Sequence, residues 1–216
     1  MSTARALRPR GFELRLPESW LEFDIWRATR TGDLPRLLDA RIAEHPELKP
    51  YRGALVKALR QAAGEAERND AVFCAAMSEL VEDAGMLAAT VMVFQTDGRL
   101  DPADNTVEAI ASQLTSIAPI EGAAQWRRVG IVEIPAGRAV RVQGVEPVDL
   151  GAQSVHCVVM QTLIPVPHGS GVLNVVATSP QVELAEPMLD LFDAISSTLT
   201  WSTTIPGGNG GGTALN

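Results

Sequence analysis

The sequence predicts an α+β fold, a single domain in which helices cover a curved antiparallel β-sheet. Apolar runs with the two-residue period of strands come in pairs joined by short turns rich in Gly or Pro, and strands joined in this way pair antiparallel. Helical patterns are grouped between these hairpins and are too few for a repeating βαβ unit. The 216 residues can form one sizeable core, and no shift in composition marks a linker between two domains.

The first part of the chain is predicted to hold two short strands and a pair of helices. Residues 1–10 carry three Arg and are expected to form a flexible basic arm. Residues 20–26 alternate apolar and polar side chains, which predicts a half-buried strand. Asp33 is placed to cap a helix, Pro46 and Pro50 interrupt the helical pattern, and a second helix follows.

The rest of the chain is predicted to alternate hairpins with helices. A hairpin precedes a helix for which Asn105 and Glu108 have the spacing of a capping box. Two further hairpins lead to a closing amphipathic helix. These elements assign residues 11–202 to the single α+β domain and the Gly-rich residues 203–216 to a disordered tail.

Charge and hydropathy restrict the function classes. The net charge is −8, and it divides into +2 over residues 1–70 and −10 over residues 71–216. An acidic chain repels phosphate backbones, so we expect no nucleic-acid partner. No apolar run has the roughly 18 residues that span a bilayer, and the N-terminus has no apolar segment typical of a signal peptide. A cytoplasmic protein is expected.

No motif in the sequence predicts a catalytic, cofactor or metal site. His45, His156 and His168 lack the close spacing of zinc ligands. Cys74 and Cys157 each lie inside an apolar run, which favours free, buried thiols. We therefore expect no catalytic residue, no cofactor and no metal.

Two surfaces remain as candidates for contact with a protein partner. The run Trp126, Arg127 and Arg128 at the start of a strand has a composition that interfaces favour. Trp126 and Arg128 would share one face of the strand and Arg127 the other, although a core Trp with two solvated Arg is the alternative. The edge strands of the sheet are the second candidate, because unpaired edges accept another chain.

Three features of the sequence carry a family resemblance. They are the early segment LPESWLEFDI, the middle sheet of hairpins, and a last strand that runs through VVATSP into a C-terminal helix. In these features, over about residues 12–201, the chain resembles the PsbP-like superfamily, which includes the Ran-binding Mog proteins and the LpqN lipoproteins. The resemblance implies an α/β/α sandwich and an accessory role in larger assemblies. Unlike in the lipoprotein branch, we expect no signal peptide and no lipid-attachment Cys, because residues 1–20 contain no Cys and no long apolar run.

Three functions are consistent with these observations. The first is a non-catalytic cytoplasmic binding or accessory protein that acts through protein–protein contacts. The second is a small-ligand-binding protein or an enzyme with a site near His156, Cys157 and Gln161. A deep pocket beside these residues would favour it, and a filled core would count against it. The third is a structural subunit of an assembly, for example a homo-oligomer whose basic arm and Gly-rich tail contact neighbouring copies.

Overall fold

A computed structural model shows how these segments are arranged. It describes residue 9 and residues 11–30, 33–81, 85–99, 101–116, 127–150, 153–203 and 212–214. Five helices and a seven-stranded antiparallel sheet in this part of the chain confirm the predicted α+β domain.

The strands of the described part form two sheets. In chain order the strands are β1 (Gly11–Glu13), β2 (Trp20–Glu22), β3 (Ala71–Val81), β4 (Gly85–Thr96), β5 (Arg127–Ile134), β6 (Gly137–Leu150), β7 (Gln153–Pro165), β8 (Val172–Ser179), β9 (Thr200–Ser202) and β10 (Gly212–Ala214). The large sheet has the order β2-β3-β4-β8-β7-β6-β5, and all of its neighbouring strands are antiparallel. The small sheet has the order β10-β1-β9.

Helices cover both faces of the large sheet. They are α1 (Ile25–Arg30), α2 (Asp33–Glu44), α3 (Arg52–Arg68), α4 (Val107–Ser116) and α5 (Ala185–Ser196). α1, α2 and α3 enclose one apolar cluster with the sheet, and α4 encloses a smaller cluster on the same face. α5 and the small sheet cover the opposite face. This gives a layered arrangement with the large sheet in the middle.

The central strands are apolar on both sides because both faces are covered. In β3, Phe73 and Ala75 face the α5 side, whereas Cys74 and Ala76 face α3. Phe12 of the small sheet packs against Phe73 in an edge-to-face arrangement, with the ring centroids 6.4 Å apart. The small sheet is thereby attached to the large one through the core.

The predicted strand over residues 20–26 is only partly correct. β2 ends at Glu22, and α1 begins at Ile25. The Asp24 carboxylate oxygen Oδ1 accepts a hydrogen bond from the backbone N–H of Arg27 at 2.9 Å, which is the geometry of a helix N-cap. The cap ends the strand, and the alternating pattern beyond it does not describe the local structure.

The predicted capping box of α4 is displaced by one residue. Thr106 Oγ1 accepts a hydrogen bond from the backbone N–H of Ala109 at 3.3 Å, so Thr106 and not Asn105 caps the helix. The Asn105 side chain instead closes the preceding loop. Its Oδ1 accepts from the backbone N–H of Arg99, and its Nδ2 donates to the carbonyl oxygen of Arg99.

The ends of the chain meet in the small sheet. β1 pairs with β9, and Gly11 of β1 also lies opposite Ala214 of β10. Residues 212–214 belong to the segment that the sequence predicts to be a tail. Most of the predicted basic arm lies outside the described residues. None of the helices described here is both long and apolar enough to cross a bilayer.

Candidate functional site

The α3 cavity, a space between α3 and the large sheet, has a volume of about 290 Å³. α3 packs mainly against β3, and α4 packs against β5 and β6. The strands between them, β4, β8 and β7, form the floor of the cavity, together with the middle of β3 and the end of β6. Ligand-binding pockets in proteins start at about 300 Å³, so the α3 cavity has the size of a site for a small molecule.

Small side chains on both sides leave this space open. Ala58 and Ala62 of α3 face the cavity from above, and Ala76 and Ala88 line it from the strands. A methyl group fills far less of the gap between a helix and a sheet than Leu or Phe would. The larger apolar side chains Leu59, Met92, Phe94, Val148 and Val176 complete the walls.

Two polar side chains enter the cavity from α3. Gln61 and Glu65 are one helical turn apart, so they project from the same side of the helix. The Nε2 atom of Gln61 is buried, and among the described residues it has no hydrogen-bond partner. Glu65 is half-buried, and one of its carboxylate oxygens lies 3.9 Å from Nη2 of the exposed Arg68. The cavity therefore offers an N–H donor and a carboxylate in an apolar setting.

The two threonines of the floor satisfy each other, and its thiol is only weakly polar. Thr90 and Thr178 lie opposite each other on β4 and β8, and their hydroxyl oxygens are 2.7 Å apart in a mutual hydrogen bond. Cys157 of β7 is buried and presents a thiol, which behaves as a small apolar group. The floor favours apolar contact over specific polar recognition.

Burial raises the pKa of both thiols, and the Glu65 carboxylate adds to the rise. The pKa of Cys157 is about 11 and that of Cys74 about 12. A raised pKa lowers the thiolate fraction at neutral pH, and the thiolate is the nucleophile. Neither cysteine has the properties of a catalytic nucleophile.

Alkylation of Cys157 by iodoacetamide is expected to become about tenfold faster with each pH unit up to at least pH 9, because the thiolate fraction keeps rising below the folded pKa. An ordinary thiol, with a pKa near 8.5, would level off over the same range. Peptide mass spectrometry of Cys157 measures the rate, and Cys157→Ser identifies the peptide. A rate that levels off near pH 8.5 would contradict the raised pKa.

The structure separates the residues of the second sequence-based hypothesis. Cys157 lines the α3 cavity, and Gln161 lies half-buried on the same face of β7. His156 is exposed on the opposite face of the sheet, so the three residues do not form one group.

Of the predicted partner-binding residues, Trp126 lies outside the described residues. Arg127 is turned into the protein, where its Nη1 donates to the carbonyl oxygen of Leu114 at 2.9 Å and its Nε lies 3.7 Å from Glu146. Arg128 is exposed on the other face of β5. The two arginines thus face opposite sides, as the strand pattern predicts, and Arg127 also contacts α4.

Sequence reasoning missed Gln61 and Glu65. Their signal is two polar residues at positions i and i+4 beside a stripe of alanines on α3, a pattern that a solvated helix face also shows. The strands that complete the cavity follow much later in the chain, so the sequence does not reveal that the alanines face a gap. In the described ranges, no three His, Cys, Asp or Glu side chains group closely enough to hold a metal ion.

Comparisons with known proteins show a structural likeness but no sequence match. No protein-family model matches the sequence, and no curated protein sequence matches it. Among solved structures, the chain is similar to the crystal structure of LpqN involved in cell envelope biogenesis of Mycobacterium tuberculosis, with a TM-score of 0.46 and 10% identity over 92% of this chain and 87% of that chain. LpqN is a loose neighbour in its α+β fold.

Proposed function

We propose that the protein is a non-catalytic binding protein that holds a small, mostly apolar molecule in the α3 cavity. The observation that carries the proposal is the space of about 290 Å³ between α3 and the sheet, walled by apolar side chains and entered by the polar ends of Gln61 and Glu65. Few convergent polar groups in an apolar recess are the usual composition of a ligand site.

The polar groups limit the chemistry of the ligand. A hydrogen-bond acceptor on the ligand would satisfy the buried Nε2 of Gln61. Glu65 places a negative charge at the cavity, whose other lining residues include no Lys, Arg or His. An anionic ligand would meet repulsion in a setting of low dielectric constant. The site therefore suits a neutral or cationic molecule with an apolar body.

The neutral fluorophore N-phenyl-1-naphthylamine tests this site. Ala58 is an exposed residue at the cavity, so Ala58→Trp is expected to obstruct the cavity without disturbing the core. We expect the fluorescence titration to show at least about tenfold weaker binding, a loss of about 1.4 kcal/mol. Ala54→Trp is the matched control, because Ala54 is exposed one turn earlier on α3 and does not line the cavity.

Equal binding by both tryptophan variants, or no binding by the unmodified protein, would overturn the proposal. The anionic fluorophore 1-anilinonaphthalene-8-sulfonate gives a second comparison. We expect it to bind the unmodified protein more weakly than the neutral probe, and we expect Glu65→Gln to reduce the difference. Circular dichroism of each variant confirms that it is folded.

An accessory role in the cytoplasm, through protein–protein contacts, is the second candidate. The sequence resemblance to the PsbP-like superfamily implies such a role, so membership of that superfamily is part of this second proposal. The observation that favours it is Trp26 on α1, whose side chain is 63% exposed, because Trp and Arg dominate interface energetics and Arg27 is adjacent. A stoichiometric protein that is recovered with the tagged chain and lost with Trp26→Ala, while probe binding is unchanged, would favour the accessory role.

A further inference from the structure

The strand β5 lies at the end of the large sheet, and no described strand occupies its outer pairing edge. In the described part of the chain, β5 pairs with β6 on one side only. It is eight residues long, and Ile131, near its middle, is 43% exposed. β2, at the other end of the sheet, has only three residues. A long edge with an exposed apolar side chain is suited to pairing with another chain.

A second copy of the same strand can pair with β5 only in certain registers. Two β5 strands that extend one sheet antiparallel are related by a two-fold axis perpendicular to the sheet, which leaves each side chain on its own face. Residues directly opposite each other must point to the same face, and side chains alternate along a strand. The two-fold axis must therefore lie midway between the two copies of one residue, which face each other across the new pairing.

On the face that carries α4, the register centred on Gly130 is complementary in both charge and apolarity. It places Arg127 opposite Glu133 of the second copy and Val129 opposite Ile131 of the second copy, all on the face that carries α4. On the other face it places Arg128 opposite Val132 of the second copy. Symmetry repeats each pair on the other side of the axis. Opposite charges and apolar pairs across antiparallel strands are each stabilising.

The neighbouring register, centred on Ile131, lacks this complementarity. It places Val129 opposite Glu133 of the second copy, and Arg128 opposite Ile134 of the second copy. Both of these contacts join an apolar side chain to a charged one, and no side chains of opposite charge face each other in this register. The sequence of β5 therefore favours one register over the next.

We propose that two copies of this chain associate through their β5 strands, antiparallel and centred on Gly130, to form a continuous sheet. Arg127 keeps its contacts with Leu114 and Glu146 on one side of the guanidinium and meets Glu133 of the second copy on the other. The association uses the edge of the sheet and leaves the α3 cavity unchanged, so it is independent of the proposed ligand.

Disulfide trapping tests both the association and its register. A Cβ added at Gly130 meets no heavy atom within 4 Å, so Gly130→Cys fits the fold. In the proposed register the two new thiols lie directly opposite each other, and mild oxidation of the full chain is expected to yield a disulfide-linked dimer. In Ile131→Cys the thiols are diagonal, about 7–8 Å apart, and are expected to cross-link poorly. The native Cys74 and Cys157 are buried, which limits background cross-linking.

Light scattering over a range of protein concentrations completes the test. We expect the unmodified chain to reach the mass of a dimer and Glu133→Arg to remain monomeric, because the new charge faces Arg127 of the second copy. Glu79→Arg makes the same charge change at an exposed residue of β3 and is expected to dimerise normally. A monomeric mass at every concentration, or faster cross-linking of Ile131→Cys than of Gly130→Cys, would overturn the proposal.

Discussion

Replacement of Phe192 by Ala is expected to lower the free energy of unfolding by about 3–5 kcal/mol. The Phe192 side chain is 1% exposed, between α5 and the large sheet. It belongs to the buried face of α5 with Met188, Leu189 and Ile195. Truncation to Ala removes the transfer free energy of the ring and leaves a cavity that a sheet and a helix cannot close without moving. Urea denaturation followed by circular dichroism measures the change.

The control for this variant is Asp190→Ala on the same helix. Asp190 is exposed, so its replacement changes helix propensity and surface charge but no core contact. We expect a change in the free energy of unfolding below about 0.5 kcal/mol. If Phe192→Ala cost less than about 1 kcal/mol, α5 would not be packed on the sheet as described here.

The packing of α5 is a part of the fold that the sequence could predict. Its apolar residues recur with the period of a helix over three turns, and the strand before it has the period of a sheet. Both patterns are long, and each persists because the apolar side chains of the element must all lie on its buried face. The hairpins that carry β3 to β8 were predictable for the same reason, since short turns leave few alternatives for pairing.

The segment after Trp20 shows where this reasoning fails. Over a few residues, the periods of a strand and a helix overlap. The structure is then decided by a single hydrogen bond, which the Asp24 carboxylate accepts from the backbone N–H of Arg27. A sequence pattern does not show whether that bond stabilises the chain more than two further residues of β-pairing would. The capping box at Asn105 failed in the same way, because Asn105 bonds to the backbone of Arg99 and leaves the cap to Thr106.

The α3 cavity could not be predicted, for a different reason. Each alanine that borders it is an ordinary residue of a helix or strand. The space exists only because Ala62 of α3 and residues such as Ala88 and Cys157 come to face one another without a larger side chain between them. Volumes that depend on residues distant in sequence are set by packing, which a local pattern does not contain.

Replacement of Asp193 by Ala is expected to lower the free energy of unfolding by about 2 kcal/mol. Arg141 of β6 reaches the C-terminal turn of α5, where its Nη1 donates to Asp193 Oδ1 and its Nη2 donates to Ser196 Oγ at 2.9 Å. The Arg141 side chain is only 11% exposed, whereas that of Asp193 is 52% exposed. Loss of Asp193 leaves a guanidinium in a largely buried place with Ser196 and the dipole of α5 as its remaining partners.

Because Arg141 is buried and Asp193 is exposed, removal of Arg141 is expected to lower the free energy of unfolding less than removal of Asp193. Arg141→Met keeps much of the buried volume, removes the charge that needs compensation, and leaves Asp193 at a surface where water solvates it. The double variant Arg141→Met/Asp193→Ala is therefore expected to be more stable than Asp193→Ala alone. Urea denaturation of the four proteins in this double-mutant cycle gives the coupling directly.

The pair between Arg52 and Asp39 serves as the control, because it has the same chemistry at the surface. Arg52 donates from Nε and Nη2 to the two oxygens of Asp39 at 2.6 and 2.8 Å, and this bidentate pairing lowers the pKa of Asp39. Both side chains are about half exposed, so water replaces the lost partner, and Asp39→Ala is expected to cost much less than Asp193→Ala. If the two substitutions cost the same, burial of Arg141 would not be the source of the difference, and the link between β6 and α5 would be an ordinary surface ion pair.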